Sequence, residues 1–174
     1  MKKIFILPFL LFVLSGFAQT PHKTSGYLFA DYNKTVSDIT LGNNPWGAGI
    51  GALVCYNNKT NFKPGIELTG NIYLEDDKVF RTYNGSEIES VRGMINLFGG
   101  SSFAITPIVY VSLFGGPAFI NGKTYFGVKP SLGIYFSKKQ QWTGKISYLN
   151  IYNRDAATGT DFTSVSISLG VKLF

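Results

Sequence analysis

The stretch that decides the fold is FTSVSISLGVKLF, which runs from Phe162 to Phe174. Every second position from 165 to 173 is aliphatic, and the positions between them carry serine, glycine or lysine. A period of two is the period of a β-strand, whose side chains alternate between opposite faces. The stretch therefore predicts a strand with one apolar face and one face of small or polar side chains.

The same two-faced pattern recurs in Trp46–Tyr56, Lys63–Leu74 and Phe126–Phe136. In each stretch one parity is mainly aliphatic or aromatic, whereas the other is rich in glycine or polar residues. Turn-forming residues separate such stretches along the chain. Together they predict eight strands: Ser25–Tyr32, Trp46–Asn57, Phe62–Leu74, Ile88–Ala104, Pro107–Phe119, Thr124–Ser137, Trp142–Tyr152 and Phe162–Phe174.

The predicted connections alternate between short and long. Those at 57–61, 105–107 and 138–141 are short, whereas those at 33–45, 75–87 and 153–161 are long and polar. The connection at 121–123 is the exception, because it is short where a long loop is due. Short turns at one end and long loops at the other are typical of an antiparallel up-and-down membrane barrel.

The composition of the two faces favours a barrel in a membrane over a soluble one. Glycine and serine on the polar face fit the narrow lumen of an eight-stranded barrel. A uniform apolar face suits lipid, and closure pairs every backbone group without leaving a sheet edge. Aromatic residues near the predicted strand ends suggest interfacial girdles: Trp46, Tyr56, Phe62, Tyr73, Phe119, Tyr125, Phe136, Trp142, Tyr152, Phe162 and Phe174. The predicted fold is an all-β, eight-stranded antiparallel transmembrane β-barrel.

The N-terminus has the features of a secretory signal peptide. Lys2 and Lys3 precede an apolar run, and small residues stand at the −3 and −1 positions of a cut after Ala18. We therefore expect a cleaved signal over residues 1–18 and a barrel domain over 19–174, exported to the outer membrane of a Gram-negative bacterium. Cys55 is the only cysteine, so no internal disulfide is possible.

These features resemble the small outer-membrane β-barrel superfamily, in particular the eight-stranded OmpA and OmpX type, often labelled porin-like. The segment Ser166–Phe174 resembles the C-terminal signal that the barrel assembly machinery recognises, which makes that machinery an expected partner. In the family pattern the terminal phenylalanine shares its parity with the lipid-facing residues. Here Phe174 instead shares its parity with Lys172 and Gly170.

Several charges fall on the predicted lumen face: Glu67, Arg92, Lys129, Lys145 and Lys172. Because Glu67 and Arg92 lie on consecutive antiparallel strands, we expect them to approach one another. A charge in a narrow interior must be paired or hydrated. The set is interpreted as a polar network that fills and stiffens the barrel, and the alternative is a gated or leaky pore that uses the same charges.

The sequence offers little for catalysis or metal binding. Barrel enzymes that resemble lipid A deacylases and palmitoyltransferases use a histidine beside a serine, but the only histidine is His22, before the first strand. The cluster of Glu75, Asp76 and Asp77 lacks the ligand spacing of a calcium loop. We expect no catalytic, cofactor or metal site.

The basic residues do not form a run along the sequence, and a net charge of +6 spread in this way does not favour nucleic-acid binding. Five basic residues lie in the predicted loops: Lys34, Lys78, Arg81, Lys123 and Arg154. Ordinary solvated loop charge is the preferred interpretation of them. The alternative is contact with the phosphates of lipopolysaccharide, which together with outer-membrane lipid is an expected partner. The first hypothesis is a monomeric, non-enzymatic outer-membrane barrel with a structural or surface-interaction role. The alternatives are a narrow porin-like channel for ions or small solutes and, third, a lipid-modifying enzyme.

Overall fold

The computed structural model describes residues 24–37, 45–74, 82–83, 86–87, 91–137, 139–155 and 160–174. The predicted signal peptide lies outside these residues. Within them no helix is long and apolar enough to cross a membrane. Ten strands follow one another in this described part: β1 Thr24–Ser37, β2 Trp46–Tyr56, β3 Phe62–Tyr73, β4 Thr82–Tyr83, β5 Ser86–Glu87, β6 Gly93–Ala104, β7 Val109–Ile120, β8 Lys123–Tyr135, β9 Trp142–Asp155 and β10 Thr160–Lys172.

Eight of these strands close into one antiparallel barrel, in the order β1-β10-β9-β8-β7-β6-β3-β2. Each strand pairs with its neighbours along the chain, and β1 pairs with β10, where Leu28 faces Val171, to complete the ring. The short pair β4 and β5 forms a separate hairpin between β3 and β6. The predicted eight-stranded up-and-down barrel is confirmed.

The barrel has two different ends. The connections at 57–61, 105–108 and 136–141 join strands at one end, which we call the short-turn end. The connections at 38–45, 74–92, 121–122 and 156–159 join them at the other, which we call the loop end. Asn121 and Gly122 both have positive φ, of 49° and 77°, which suits a tight two-residue hairpin turn and explains the one short connection there.

Most predicted strand ends lie within two residues of the observed ends, and the larger differences all lie beside long connections. β2 and β3 each end one residue before the predicted limit. β1 continues to Ser37 and β9 to Asp155, so part of each predicted loop is strand. β6 begins at Gly93, and residues 88–90 of the predicted strand lie outside the described part of the chain.

The two faces of the strands are those that the alternation predicted. Outward-facing Ile50 and Ile72 expose 73% and 69% of their surface, whereas lumen-facing Phe98 and Ser147 expose 1% each. β10 follows the same rule, since Ile167 and Leu169 are exposed and its serines are buried. The barrel therefore presents an apolar outer belt and encloses a mixed polar and aromatic interior.

Most of the predicted girdle aromatics lie on the outer surface near strand ends. Trp46 stacks with Tyr32, with ring centroids 6.0 Å apart, and Phe126 stacks with Tyr152 at 6.3 Å. Others with exposed side chains are Tyr56, Phe62, Phe119, Phe136 and Trp142.

Tyr73 and Phe162 are corrections to the predicted girdle, since both are buried in the lumen. Their rings meet edge to face, with centroids 5.3 Å apart. Tyr73 shares its parity with Glu67 and Phe162 shares its parity with Ser164, so the alternation itself directs both rings inward. Tyr125 is partly buried and packs against the same interior cluster.

The C-terminal phenylalanine does not follow the parity of β10. Its ring lies against Gly26, where a Cβ atom would come within 2.5 Å of the Phe174 Cζ atom. The backbone supports this position, because Gly26 N donates to Phe174 O at 3.2 Å. Gly26 lies between the lumen-facing residues Ser25 and Tyr27, so its open side faces outward. The ring therefore covers the outer wall of β1, which the absence of a side chain at Gly26 permits.

Candidate functional site

The centre of the lumen holds a charge cluster that consists of Glu67 on β3, Lys129 on β8 and Lys145 on β9. Lys129 Nζ lies 2.6 Å from Glu67 Oε1, and Lys145 Nζ lies 2.7 Å from Glu67 Oε2. Each carboxylate oxygen therefore accepts a hydrogen bond from a different ammonium group. The three side chains come from opposite parts of the barrel wall, so the cluster bridges the interior.

The central cluster is almost completely removed from solvent. Glu67 exposes 2% of its surface, Lys129 3% and Lys145 4%. Charges buried to this degree are tolerated when each is paired and hydrogen-bonded. Lys145 Nζ also lies 4.2 Å from the centre of the Phe29 ring, a distance at which a cation is attracted to the face of an aromatic ring.

A fourth lumen charge, Asp31 on β1, was not predicted. It exposes 6% of its surface, and its Oδ1 atom makes no hydrogen bond within the described protein. Together with Glu67 it gives the interior two carboxylates, which match the ammonium groups of Lys129 and Lys145. The formal charges of these four groups cancel, and Arg154, near the loop end of β9, is a further buried charge.

Arg92 is not part of the cluster, and the prediction that it approaches Glu67 is wrong. Glu67 lies opposite Phe98 in the pairing of β3 with β6, six residues from Arg92. At about 3.3 Å per residue this separates the two by roughly 20 Å along the strand. Arg92 precedes the first residue of β6 and is exposed, and its carbonyl accepts a hydrogen bond from Tyr73 N. The parity rule fails for it because it lies beyond the strand.

Lys172 lies on the predicted face but far from the centre. It is the last residue of β10, at the short-turn end, and is only partly buried. Lys63, at the same end of β3, lines the lumen beside Tyr110 and Tyr135 and donates to Gln140 Oε1 at 3.4 Å.

An aromatic layer fills the lumen between the charge cluster and the short-turn end. The rings of Tyr110 and Tyr135 lie 4.8 Å apart, and Tyr27 lies 6.2 Å from Tyr135. The Tyr110 hydroxyl is within 2.9 Å of the Thr143 hydroxyl, which gives a buried polar atom a partner. The cavity enclosed by these rings has a volume of about 10 Å³, close to the minimum that one water needs.

A polar layer lies on the other side of the cluster, towards the loop end. Asn33 Nδ2 donates to Asn71 Oδ1 at 2.9 Å, and Asn96 Nδ2 donates to Thr69 Oγ1 at 3.0 Å. Above it, the Tyr73 and Phe162 rings cross the lumen. Aromatic, charged, amide and again aromatic layers thus succeed one another through the barrel.

The side chains that could ligate a metal do not cluster in the described part of the chain. No group of three or more histidine, cysteine, aspartate or glutamate side chains in this part of the chain could hold a metal ion. Cys55 is a buried free cysteine on the lumen face of β2. Glu75, Asp76, Asp77 and His22 lie outside the described residues.

Comparison with known proteins places the fold among small transmembrane barrels. No protein-family model and no curated protein matches the sequence. Among solved structures, the attachment invasion locus protein Ail of Yersinia pestis matches with a TM-score of 0.54 and 11% identity, over 86% of this chain and 97% of Ail. Neisserial surface protein A matches with a TM-score of 0.56 and 13% identity, over 86% and 96%. A designed transmembrane β-barrel matches with a TM-score of 0.52 and 10% identity, over 89% and 98%.

These likenesses show the fold. The chain has the fold of small eight-stranded transmembrane barrels such as Ail and Neisserial surface protein A. Because a designed barrel shares the architecture as fully as the natural ones, the fold by itself does not define a role.

Proposed function

We propose that the chain is a non-enzymatic integral protein of the bacterial outer membrane, with a closed barrel and a structural or surface-interaction role. The observation that carries the proposal is the Glu67, Lys129 and Lys145 cluster, which joins opposite walls of the lumen at 2.6 and 2.7 Å. A barrel of eight strands has an interior only wide enough for side chains, and here they occupy it.

The alternative of a narrow porin-like channel is less well supported. The side chains that line a water-filled pore are reached by water, whereas the three central charges expose only 2–4% of their surfaces. Phe98 and Phe114, which face the lumen beside these charges, are each 1% exposed, so water does not reach the lumen wall there either. We therefore favour a plugged barrel over a conducting one.

The third hypothesis, a lipid-modifying enzyme, has no support from the barrel residues. The sequence contains no histidine after His22, so a serine nucleophile of the barrel has no imidazole base. Lys129 and Lys145, the buried amines, are both engaged by Glu67.

The proposed surroundings follow from the outer surface. The apolar belt would contact outer-membrane lipid, and Lys34 and Lys123, both exposed near the loop end, would contact lipopolysaccharide phosphates. The same proposal includes export by a signal over residues 1–18 and a monomeric state. It also includes recognition by the barrel assembly machinery through the segment that ends at Phe174. No cofactor, metal or nucleic acid is part of it.

Planar-bilayer recording tests the closed barrel. We expect the refolded wild-type protein to insert without producing conductance steps, because the charge cluster blocks the lumen. The triple variant Glu67→Gly, Lys129→Gly, Lys145→Gly removes the charged layer and keeps the aromatic layers. Its conductance, measured once its folding has been checked on an unboiled gel, shows whether the charges alone keep the lumen closed. Regular conductance steps from the wild type, altered in size by Glu67→Gln, would instead support the channel.

A further inference from the structure

We propose that the short-turn end of the barrel is a binding surface for the headgroups of anionic phospholipids. The barrel gathers lysines that are far apart in the sequence at this one end: Lys59, Lys63, Lys139 and Lys172. The three connections of this end, 57–61, 105–108 and 136–141, contain no aspartate or glutamate in their sequences. The short-turn end is therefore purely cationic in its titratable side chains over these segments.

The rest of the molecule does not share this charge. Of the 10 acidic residues in the sequence, Asp31 and Glu67 face the lumen, and the other eight belong by chain position to the loop end. Six basic residues belong to the loop end as well, so its formal charge is slightly negative. Lys129 and Lys145 are paired with Glu67 inside the lumen, so they add no charge to either end of the barrel. The positive charge of the barrel is thus concentrated at one end.

The described lysines of the short-turn end surround its opening. Lys59 and Lys139 are exposed, on the connections that follow β2 and β8. Lys63 reaches across the opening to Gln140, and the backbone nitrogen of Lys172 donates to Gln141 O at 2.7 Å. These lysines therefore belong to strands and turns on different sides of the opening, namely the β2–β3 turn, β3, the β8–β9 turn and β10.

The lysines of the short-turn end lie at the edge of the apolar belt, and this position favours lipid headgroups as their partner. Tyr56, Phe62, Phe136 and Trp142 are exposed at the same end, where aromatic side chains mark the boundary between hydrocarbon and headgroups. A lysine at that depth can lay its stem on apolar surface and hold its ammonium among phosphates. Each such lysine strengthens the attraction to anionic lipid by about fivefold.

The two tryptophans provide one reporter for each end. Trp142 begins β9 at the short-turn end, and Trp46 begins β2 at the loop end, with both side chains exposed. The variant Trp46→Phe leaves only Trp142, and Trp142→Phe leaves only Trp46. Each is reconstituted in phosphatidylcholine vesicles that contain brominated phosphatidylglycerol or, at the same mole fraction, brominated phosphatidylcholine. Quenching of each tryptophan measures how often the brominated lipid contacts that end.

We expect the anionic lipid to be favoured at Trp142 by roughly three- to fivefold over phosphatidylcholine, and not at Trp46. The preference should fall in 0.5 M salt, which screens charges beyond a few ångströms. Equal preferences at the two tryptophans would overturn the proposal.

A matched pair of variants separates local charge from net charge. In the Trp46→Phe background, Lys59→Gln with Lys139→Gln removes two exposed charges from the short-turn end, and Lys34→Gln with Lys123→Gln removes two from the loop end. Only the first pair should markedly reduce the preference at Trp142, and an equal loss in both would contradict a local surface. Because vesicle quenching depends on neither conduction nor cellular location, this result is independent of the proposed function.

Discussion

Glu67 neutralises two buried ammonium groups at once, so its removal leaves both without a partner. We expect Glu67→Ala to lower the free energy of unfolding by about 3–5 kcal/mol, the usual cost of breaking a buried ion pair. Urea unfolding in lipid vesicles, followed by tryptophan fluorescence, measures the change.

A variant without any of the four buried charges distinguishes unpaired charge from lost packing at this position. Glu67→Ala combined with Lys129→Met, Lys145→Met and Asp31→Asn removes all four charges and should recover most of the stability. If Glu67→Ala left both stability and bilayer conductance unchanged, neither a structural plug nor a charged pore would describe the cluster.

Individual residues show why parity predicts some lumen side chains and misses others. Glu67, Lys129 and Lys145 lie inside strands with one clearly apolar face, so alternation determines their direction. Arg92 lies one residue before β6, where alternation no longer applies. Asp31 was missed because β1 carries Tyr27 and Phe29 on its lumen face, and a strand with apolar residues on both faces shows no clear polar parity.

Neighbouring strands fit together in the lumen through glycines that face large rings. The Gly133 position on β8 lies directly against the Tyr110 ring from β7, so a Cβ atom there would collide with the ring. That ring cannot move freely, because it packs 4.8 Å from Tyr135 and its hydroxyl meets Thr143. We expect Gly133→Ala to reduce stability by about 1–3 kcal/mol, as overpacking does.

Gly99 on β6 provides the control for the Gly133→Ala variant. Its Cβ position has no atom within 4 Å, so Gly99→Ala should leave urea unfolding nearly unchanged. Tyr110→Leu should relieve the collision and make Gly133→Ala less costly in the double variant. A Gly133→Ala protein as stable as Gly99→Ala would show that the ring does not fill this place.

The strands themselves were largely predictable, and the exceptions have a physical cause. Short turns limit a strand, so every strand end beside a short turn was predicted to within two residues. Beside long connections the polar residues of a strand resemble a loop, and the final residues of β1 were assigned to one. The girdle was overpredicted at Tyr73 and Phe162, because proximity to a strand end does not say which face a ring occupies.

For the whole molecule, alternation identifies the barrel but does not reveal which distant residues it gathers. The lysines of the short-turn end look scattered along the sequence and become a single rim only after closure. The contact of Glu67 with Lys129 and Lys145 likewise depends on which strands lie opposite one another in the closed barrel. The alternation within a single strand does not predict this. Sequence therefore predicted the architecture and the lumen face, but not the arrangement of charge across the molecule.

Heat modifiability tests most directly the central claim, a closed barrel resident in the outer membrane. The protein from a purified outer-membrane fraction is run on a denaturing gel with and without boiling. A closed, detergent-resistant barrel should give a faster band in the unboiled lane. Absence of that shift, or recovery of the protein in the soluble periplasmic fraction, would contradict the assignment of the two strand faces and favour a soluble β-sandwich.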